Sequence, residues 1–133
     1  MTEFAEDELI FLPLGGSGEI GMNMNLYGFA GKWLLVDLGI TFADGEQPGI
    51  EVITPDPTYI EERRDDLAGL ILTHAHEDHL GAVAHLWPRL RCPVWATPFA
   101  AALLRNKLEE AGLLLEVPLH IIEPGEQLQI GPF

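Results

Sequence analysis

The pattern of apolar and polar positions predicts strands at the start of the chain. Residues 7–14 form an apolar-rich run, and residues 22–29 alternate apolar and polar side chains with the period of two that strands show. A glycine-rich turn at 15–21 separates these two strands. A third predicted strand ends at Asp37, and residues 39–57, rich in glycine, proline and aspartate, are predicted to be a loop.

The rest of the chain predicts helices alternating with strands. A short helix is expected to begin at Pro57, followed by a buried strand over residues 67–73. A second helix over 80–87 is expected to stop at Pro88, because proline lacks the N–H that a helix interior uses. The other predicted elements are a strand over 93–97, a helix from Pro98 with Thr97 as its N-cap and Gly112 as its end, and strands over 117–123 and 126–133. This order predicts a mixed α/β domain of the α+β kind.

The composition fits one globular domain. The chain has 133 residues, of which 47% are hydrophobic and 21% are charged, which is enough for one modest core. No apolar run reaches the length of a membrane span, and the acidic N-terminus is not expected to act as a secretory signal. Cys92 is the single cysteine, so internal disulfides are excluded and a cytoplasmic location is expected.

The charge is strongly acidic but unevenly distributed. A formal net charge of −14 argues against a general polyanion-binding surface. The stretch between Asp78 and Glu109 nevertheless lacks acidic residues and contains four cations: Arg89, Arg91, Arg105 and Lys107. The favoured interpretation of this basic segment is ordinary solvated charge on a helix and a loop.

The glycine-rich turn matches the spacing of a dinucleotide-binding fingerprint. Gly16, Gly18 and Gly21 follow a predicted strand, and Asp37 ends another. That fingerprint requires a helix that opens within the glycines, because its N-terminus holds the pyrophosphate. Residues 22–29 contain poor helix formers in a period-two pattern. A tight turn between strands is therefore favoured, and dinucleotide binding is the least favoured function.

Three of the five histidines lie within one short stretch, THAHEDHLGA, at residues 73–82. Imidazole nitrogen and carboxylate oxygen are ligands that zinc takes. His74 and His76 are two residues apart at the end of a predicted strand, so their side chains point to the same side. Asp78 and His79 follow the bend, where they can face a second ion. We interpret this cluster as a metal site rather than a solvated polar turn.

The pattern H-x-H-x-D-H after a buried strand resembles the signature of the metallo-β-lactamase superfamily. The blocks LPLGGSGEIGMN, VDLGITF, PGIEVITPD, GLILTHAHEDHLGA and PVWATP are similar to those of the ribonuclease J family, its β-CASP branch. Glu77 strengthens this resemblance, which extends to Phe133. It implies a metallo-β-lactamase αββα sandwich of which residues 1–133 form only the first, N-terminal part, with the β-CASP insertion and the C-terminal domain absent.

The resemblance also implies a function, a zinc-dependent hydrolysis of RNA phosphodiesters by an endonuclease or a 5′-to-3′ exonuclease. His74 and His76 would bind one zinc ion, and Asp78 and His79 a second. Asp37 would orient the metal-binding loop, so Asp78 and Asp37 are the expected catalytic carboxylates. Further ligands of the family lie downstream of this chain, so the fragment alone is expected to bind zinc weakly and to be inactive or nearly so. RNA is the expected partner, and the full-length enzyme is expected to be a homo-oligomer.

Two other functions stay open, a small-molecule hydrolase of thioesters or lactams on the same scaffold and a non-catalytic RNA-binding or assembly module.

Other candidate residues receive structural interpretations. His85 is predicted to point away from the cluster, His120 to be a core histidine and Cys92 to be a buried small residue. A hard-cation site in the 39–57 loop would use Asp44, Glu46 and Glu51, although a solvated loop is favoured there.

Overall fold

The computed structural model describes residues 5, 7–16, 18, 21–42 and 52–133. The hard-cation candidates Asp44, Glu46 and Glu51 lie outside the described residues. In the described ranges, none of the helices combines the length and the apolar character needed to traverse a bilayer.

Within the described ranges, eight strands carry the framework, and six of them form one mixed sheet. In chain order they are β1 (Ile10–Gly15), β2 (Met24–Phe29), β3 (Lys32–Val36), β4 (Thr41–Phe42), β5 (Val52–Ile53), β6 (Leu67–Ile71), β7 (Val94–Ala96) and β8 (Leu119–Ile121). The large sheet has the order β1-β2-β3-β6-β7-β8, and β4 pairs with β5 in a separate ribbon. The first three strands are antiparallel, whereas β3, β6, β7 and β8 run parallel.

Four helices in the part of the chain that the structure describes connect and cover the strands. They are α1 (Thr58–Glu61), α2 (Glu77–Leu80), α3 (Val83–Leu90) and α4 (Pro98–Glu110), with one 3-10 turn over Arg64–Asp66. A row of paired residues crosses the sheet and is fully buried: Leu26, Leu35, Leu70 and Val94. These side chains share one apolar core with buried leucines of α3 and α4. Full burial of each such side chain contributes about 1.5–3 kcal/mol.

The glycine-rich turn joins two antiparallel strands, as predicted. β1 pairs with β2, so no helix of the described residues opens at the position that a dinucleotide fingerprint requires. Gly16 and Gly21 have φ values of +88° and +98°, a region that glycine adopts without steric cost.

The helix predicted over residues 80–87 does not stop at Pro88, so that prediction is wrong. Pro88 lies inside α3, which ends at Leu90 and is followed by Arg91 in the left-handed conformation, with φ at +48°. Trp87 and Leu90 are both buried on the core side of this helix. Their packing outweighs the main-chain hydrogen bond that proline removes. Tertiary burial therefore decides where this helix ends.

The predicted strand over residues 126–133 is also wrong. Residues 126–130 are irregular, and one turn follows, closed by reciprocal main-chain hydrogen bonds of 2.9 Å between Ile130 and Phe133. Its alternation of polar and apolar residues is compatible with a strand, but a strand also needs a neighbour for its main-chain groups. Ile130 is buried, so one apolar side chain anchors the segment without sheet pairing.

Helix α4 begins and ends where the sequence predicts. Pro98 is its first residue, although Thr97 makes no side-chain capping hydrogen bond. Gly112, with φ at +73°, comes directly after Ala111, the C-cap residue that follows Glu110. The N–H groups of Gly112 and Leu113 donate to the carbonyls of Glu109 and Leu108, which is the paired arrangement of a Schellman motif.

Candidate metal centre

The candidate site lies where two neighbouring parallel strands end. β3 ends beside β6, with Val36 opposite Ile71. Asp37 follows β3 directly, and its N–H donates to the carbonyl of Ile71 at 2.8 Å. The carboxyl ends of parallel strands meet at one edge of a sheet, where ligand sites collect in α/β folds. Two sequence motifs that are far apart along the chain therefore become neighbours.

Three predicted ligands converge beyond the end of β6. His74, His76 and Asp78 each offer a donor atom, and these atoms lie within 4.8 Å of one another. The imidazole rings of His74 and His76 are exposed, with centroids 4.8 Å apart at an interplanar angle of 77°. Two nitrogens and one carboxylate oxygen facing solvent form a donor set that fits a divalent cation such as zinc.

His79 joins this cluster from the first turn of α2. Its ring centroid lies 3.7 Å from that of His74, and its Nε2 lies 3.4 Å from Asp78 Oδ2. The sequence predicts that Asp78 and His79 share one metal ion. The structure also places Asp78 within reach of His74 and His76. The four predicted ligands therefore lie together, with Asp78 adjacent to both histidine groups.

Asp37 lies beneath the ligands and is 4% exposed. Its carboxylate accepts hydrogen bonds of 2.7 Å from both the N–H and the hydroxyl of Thr73, and it lies 2.7 Å from His79 Nδ1. Asp37 adopts a left-handed conformation with φ at +64°, which costs a non-glycine residue about 1–3 kcal/mol. The fold maintains this strained residue at the base of the candidate site.

The main chain after Asp37 pairs directly with residues 74–79, the ligand loop. Leu38 N–H donates to the carbonyl of His79 at 2.8 Å, and Ile40 N–H donates to that of Glu77 at 2.9 Å. Gly39 lies between these two bonds, where a Cβ atom would overlap the carbonyl group of Asp78. Glycine is required here because the two main-chain segments approach too closely for a side chain.

Three residues of this candidate site were not predicted from the sequence: Thr73, Gly39 and Asn23. Thr73 precedes the first histidine directly, and its place in the motif could have indicated it. Asn23 Nδ2 donates to the carbonyl of Asp78 at 2.8 Å and lies 3.4 Å from His79 Nε2. No local pattern could identify Asn23 or Gly39, since their roles depend on distant partners.

The other candidate residues lie outside the donor cluster. His85 is exposed on α3 and is not among the clustered donors, as predicted. His120 is not a core residue, so that prediction is wrong. It is exposed on β8, at the edge of the sheet, and stacks on Trp95 with centroids 4.9 Å apart. Cys92 is buried as predicted, and burial raises the pKa of its thiol to about 12, which makes it a poor nucleophile.

Three of the four cations of the basic segment are bound to carboxylates. Arg89 lies 2.7 Å from Glu61, and Lys107 lies 2.5 Å from Glu77. Arg91 makes a longer pair of 3.7 Å with Glu116. These contacts support the interpretation of the segment as ordinary surface charge rather than a free basic patch.

Known proteins resemble this chain over most of its length. Residues 20–131 match the profile of the metallo-beta-lactamase superfamily. Ribonuclease J of Sinorhizobium meliloti is 46% identical over 132 residues, which are 96% of this chain and 23% of that protein. Ribonuclease J of Synechocystis is 40% identical over 124 residues, which are 92% of this chain and 19% of that protein. The chain spans about a fifth of the length of these curated relatives.

Solved structures share the fold at low sequence identity. A B3 metallo-beta-lactamase matches 98% of this chain and 48% of its own, with a TM-score of 0.56 and 19% identity. A quorum-quenching N-acyl homoserine lactone lactonase matches 98% of this chain and 62% of its own, with a TM-score of 0.54 and 21% identity. At such identities the likeness concerns the fold alone, and it confirms the predicted fold class.

Proposed function

The chain belongs to the metallo-β-lactamase superfamily, and from that premise we propose that it forms the metal-binding part of a zinc-dependent ribonuclease. One observation carries the proposal: the donor atoms of His74, His76 and Asp78 lie within 4.8 Å of one another. The substrate class rests on relatives that are named ribonuclease J at 46% and 40% identity.

The donor set supports zinc as the metal. Imidazole nitrogens and carboxylate oxygens are common zinc ligands, whereas magnesium and calcium prefer oxygen ligands alone. In the proposed arrangement His74 and His76 hold one ion, and Asp78 and His79 hold a second. Asp78 lies within reach of both pairs and can therefore serve either ion.

Asp37 acts through His79 rather than on the substrate. A carboxylate accepts hydrogen bonds, so the 2.7 Å contact assigns the proton of neutral His79 to Nδ1. His79 Nε2 is then left with its lone pair on the side of Asp78, 3.4 Å from that carboxylate. Contacts of this kind fix the tautomer and the orientation of a histidine ligand. Asp37 is therefore proposed as the positioning carboxylate of the site.

Bound zinc ions would lower the pKa of a water molecule and neutralise charge on a phosphodiester. The chain's own contribution is to hold four ligands at the surface, where His74 and His76 are exposed to an approaching strand. Lys107 and Arg89 are already paired with Glu77 and Glu61. We expect the phosphate-binding surface to come from other parts of the longer protein.

The complete enzyme is proposed to be longer than this chain, since the curated relatives are about four to five times its length. In the proposed enzyme, additional metal ligands, a β-CASP insertion and a C-terminal domain complete the site and the RNA channel. A homo-oligomer in the cytoplasm is the proposed working form. The chain by itself is expected to bind zinc weakly and to cleave RNA little or not at all.

A paired assay tests this function. The chain and a version extended through the rest of its reading frame are compared for zinc binding and for cleavage of 5′-labelled RNA. The longer protein should bind two zinc ions and cleave RNA, and His76→Ala should abolish both. Hydrolysis of a lactam or thioester without RNA cleavage would contradict the substrate class. RNA cleavage by the short chain at the rate of the long one would contradict the proposal that the longer protein supplies further metal ligands.

A further inference from the structure

An ion pair connects helix α4 to the middle of the ligand loop. Lys107 Nζ lies 2.5 Å from Glu77 Oε1, and the two side chains are 32% and 39% exposed. Glu77 is the first residue of α2 and stands between the predicted ligands His76 and Asp78. A contact made by Glu77 therefore acts directly on the main chain that carries both neighbouring ligands.

Glu77 is held from its other sides as well. Its carbonyl accepts hydrogen bonds from Ile40 N–H at 2.9 Å and from Gly81 N–H at 2.8 Å. Gly81 also leaves room for the Glu77 carboxylate, since a Cβ at this position would overlap Oε2. Glu77 thus joins α4 and the segment after β3 to the ligand loop.

The direction of the Glu77 side chain separates two adjacent carboxylates. Among the described residues, the donor cluster includes Asp78 and excludes Glu77. Glu77 turns instead towards α4, where Lys107 binds it. In a chain with a net charge of −14, a cation at this place also reduces repulsion between neighbouring carboxylates.

We propose that Lys107 is a positioning residue of the metal centre. By binding Glu77, it holds the first turn of α2 and keeps the Glu77 carboxylate away from the ligands, which leaves Asp78 as the acidic donor. A helix of four residues cannot maintain this arrangement alone, because short helices need tertiary contacts. This inference rests on the proposed metal site, so its test includes a measurement made without metal.

The test compares Lys107→Met with Arg105→Met in the intact chain. Arg105 is an exposed cation on the same helix and serves as the matched control. In metal-free protein, the amide protection of Ile40 and Gly81 should fall about three- to fivefold in Lys107→Met, as expected for a half-exposed ion pair. Protection of Leu70 in the core, which reports global unfolding, should fall by no more than this factor. Lys107→Arg should restore most of the lost protection.

Cobalt binding gives the second measurement. Cobalt is titrated into the millimolar range. The dissociation constant for cobalt should be about three- to fivefold higher in Lys107→Met than in the wild-type chain, and the visible spectrum of the cobalt complex should change. The control and Lys107→Arg should match the wild-type chain. Unchanged cobalt binding together with unchanged amide protection would overturn the positioning role. Absence of cobalt binding by the wild-type chain would instead contradict the metal site itself.

Glu77→Gln provides an independent variant if Lys107→Met folds poorly. It keeps the shape of the side chain and removes its charge, so it should show the same loss of protection. Combining it with Lys107→Met should produce little further loss, because both changes break one contact. Fully additive losses would show that Lys107 acts elsewhere and would overturn the proposal.

Discussion

The carboxylate of Asp37 lies 2.7 Å from Nδ1 of His79, although the two residues are 42 positions apart in the sequence. Asp37 is buried and strained, whereas His79 faces the exposed ligands. This contact joins the end of one strand to the first turn of a helix. It orients the His79 ring within the cluster of candidate ligands.

Replacing Asp37 with asparagine should weaken metal binding. The amide keeps the size of the side chain but offers only one acceptor oxygen to Thr73 and His79. Loss of such a supporting contact typically costs about tenfold to a hundredfold in metal affinity. Competition with a chelating dye measures the change. The exposed Asp66→Asn, which alters only a surface pair with Lys32, is the control and should retain wild-type affinity.

Gly39→Ala should destabilise the fold at the base of the site. The new methyl group would overlap the carbonyl group of Asp78, so the two main-chain segments must separate. Overpacking of this kind costs about 1–3 kcal/mol, which urea unfolding can measure. Gly125→Ala is the comparison, since nothing lies within 4 Å of its added methyl group and only its φ of +87° opposes the change. Equal losses in the two variants would contradict the close approach.

The pair of Glu61 and Arg89 should make stability depend on pH. The hydrogen bond from Arg89 lowers the pKa of the Glu61 carboxyl below its usual value. A lowered folded-state pKa means that the stabilisation is present above the unfolded-state pKa and is lost as pH falls through the folded-state pKa. Arg89→Met should therefore reduce stability at neutral pH and have no such effect in strong acid.

A carboxyl titration by NMR checks the same contact directly. In Arg89→Met the pKa of Glu61 should rise to its ordinary value, while Arg64→Met should leave most of the lowering in place. This order follows because the hydrogen bond from Arg89 is the largest cause and the charge of Arg64 a smaller one. A Glu61 pKa that is equal in the wild-type chain and in Arg89→Met would contradict the contact.

Cys92 should resist alkylation while the protein is folded. Its side chain is buried, and burial raises the pKa of the thiol from 9.0 to about 12. Because the thiolate is the reactive form, iodoacetamide should label the folded chain far more slowly than the urea-unfolded chain at the same pH. Similar labelling rates in the two states would show that Cys92 is accessible.

The clustering of the candidate ligands could be predicted from the sequence because these residues are neighbours along the chain. His74, His76, Asp78 and His79 fall within six positions, and Asp37 ends an apolar strand. Residues whose roles depend on distant partners could not be predicted in this way. Asn23 reaches the carbonyl of Asp78 across 55 positions, and Gly39 is required only by a close main-chain contact.

The errors in predicting the fold from the sequence also arise from contacts between residues far apart in the chain. The stop predicted at Pro88 follows local propensity, but the buried Trp87 and Leu90 extend the helix beyond it. The strand predicted over 126–133 has the right alternation, but this segment is irregular with one turn and does not pair with β8. The apolar neighbours of His120 predict a core position, yet His120 lies on an edge strand and is exposed. Periodicity indicates an element and does not show what packs against it.

Zinc titration of the purified chain, followed by NMR of its five histidine rings, is the most direct measurement of the metal centre. We predict weak binding that shifts the ring signals of His74, His76 and His79 and leaves those of His85 and His120 unchanged. The Asp37→Asn variant should need more zinc to produce the same shifts. Tight binding that shifts His85 or His120 would contradict the ligand set and require a different site.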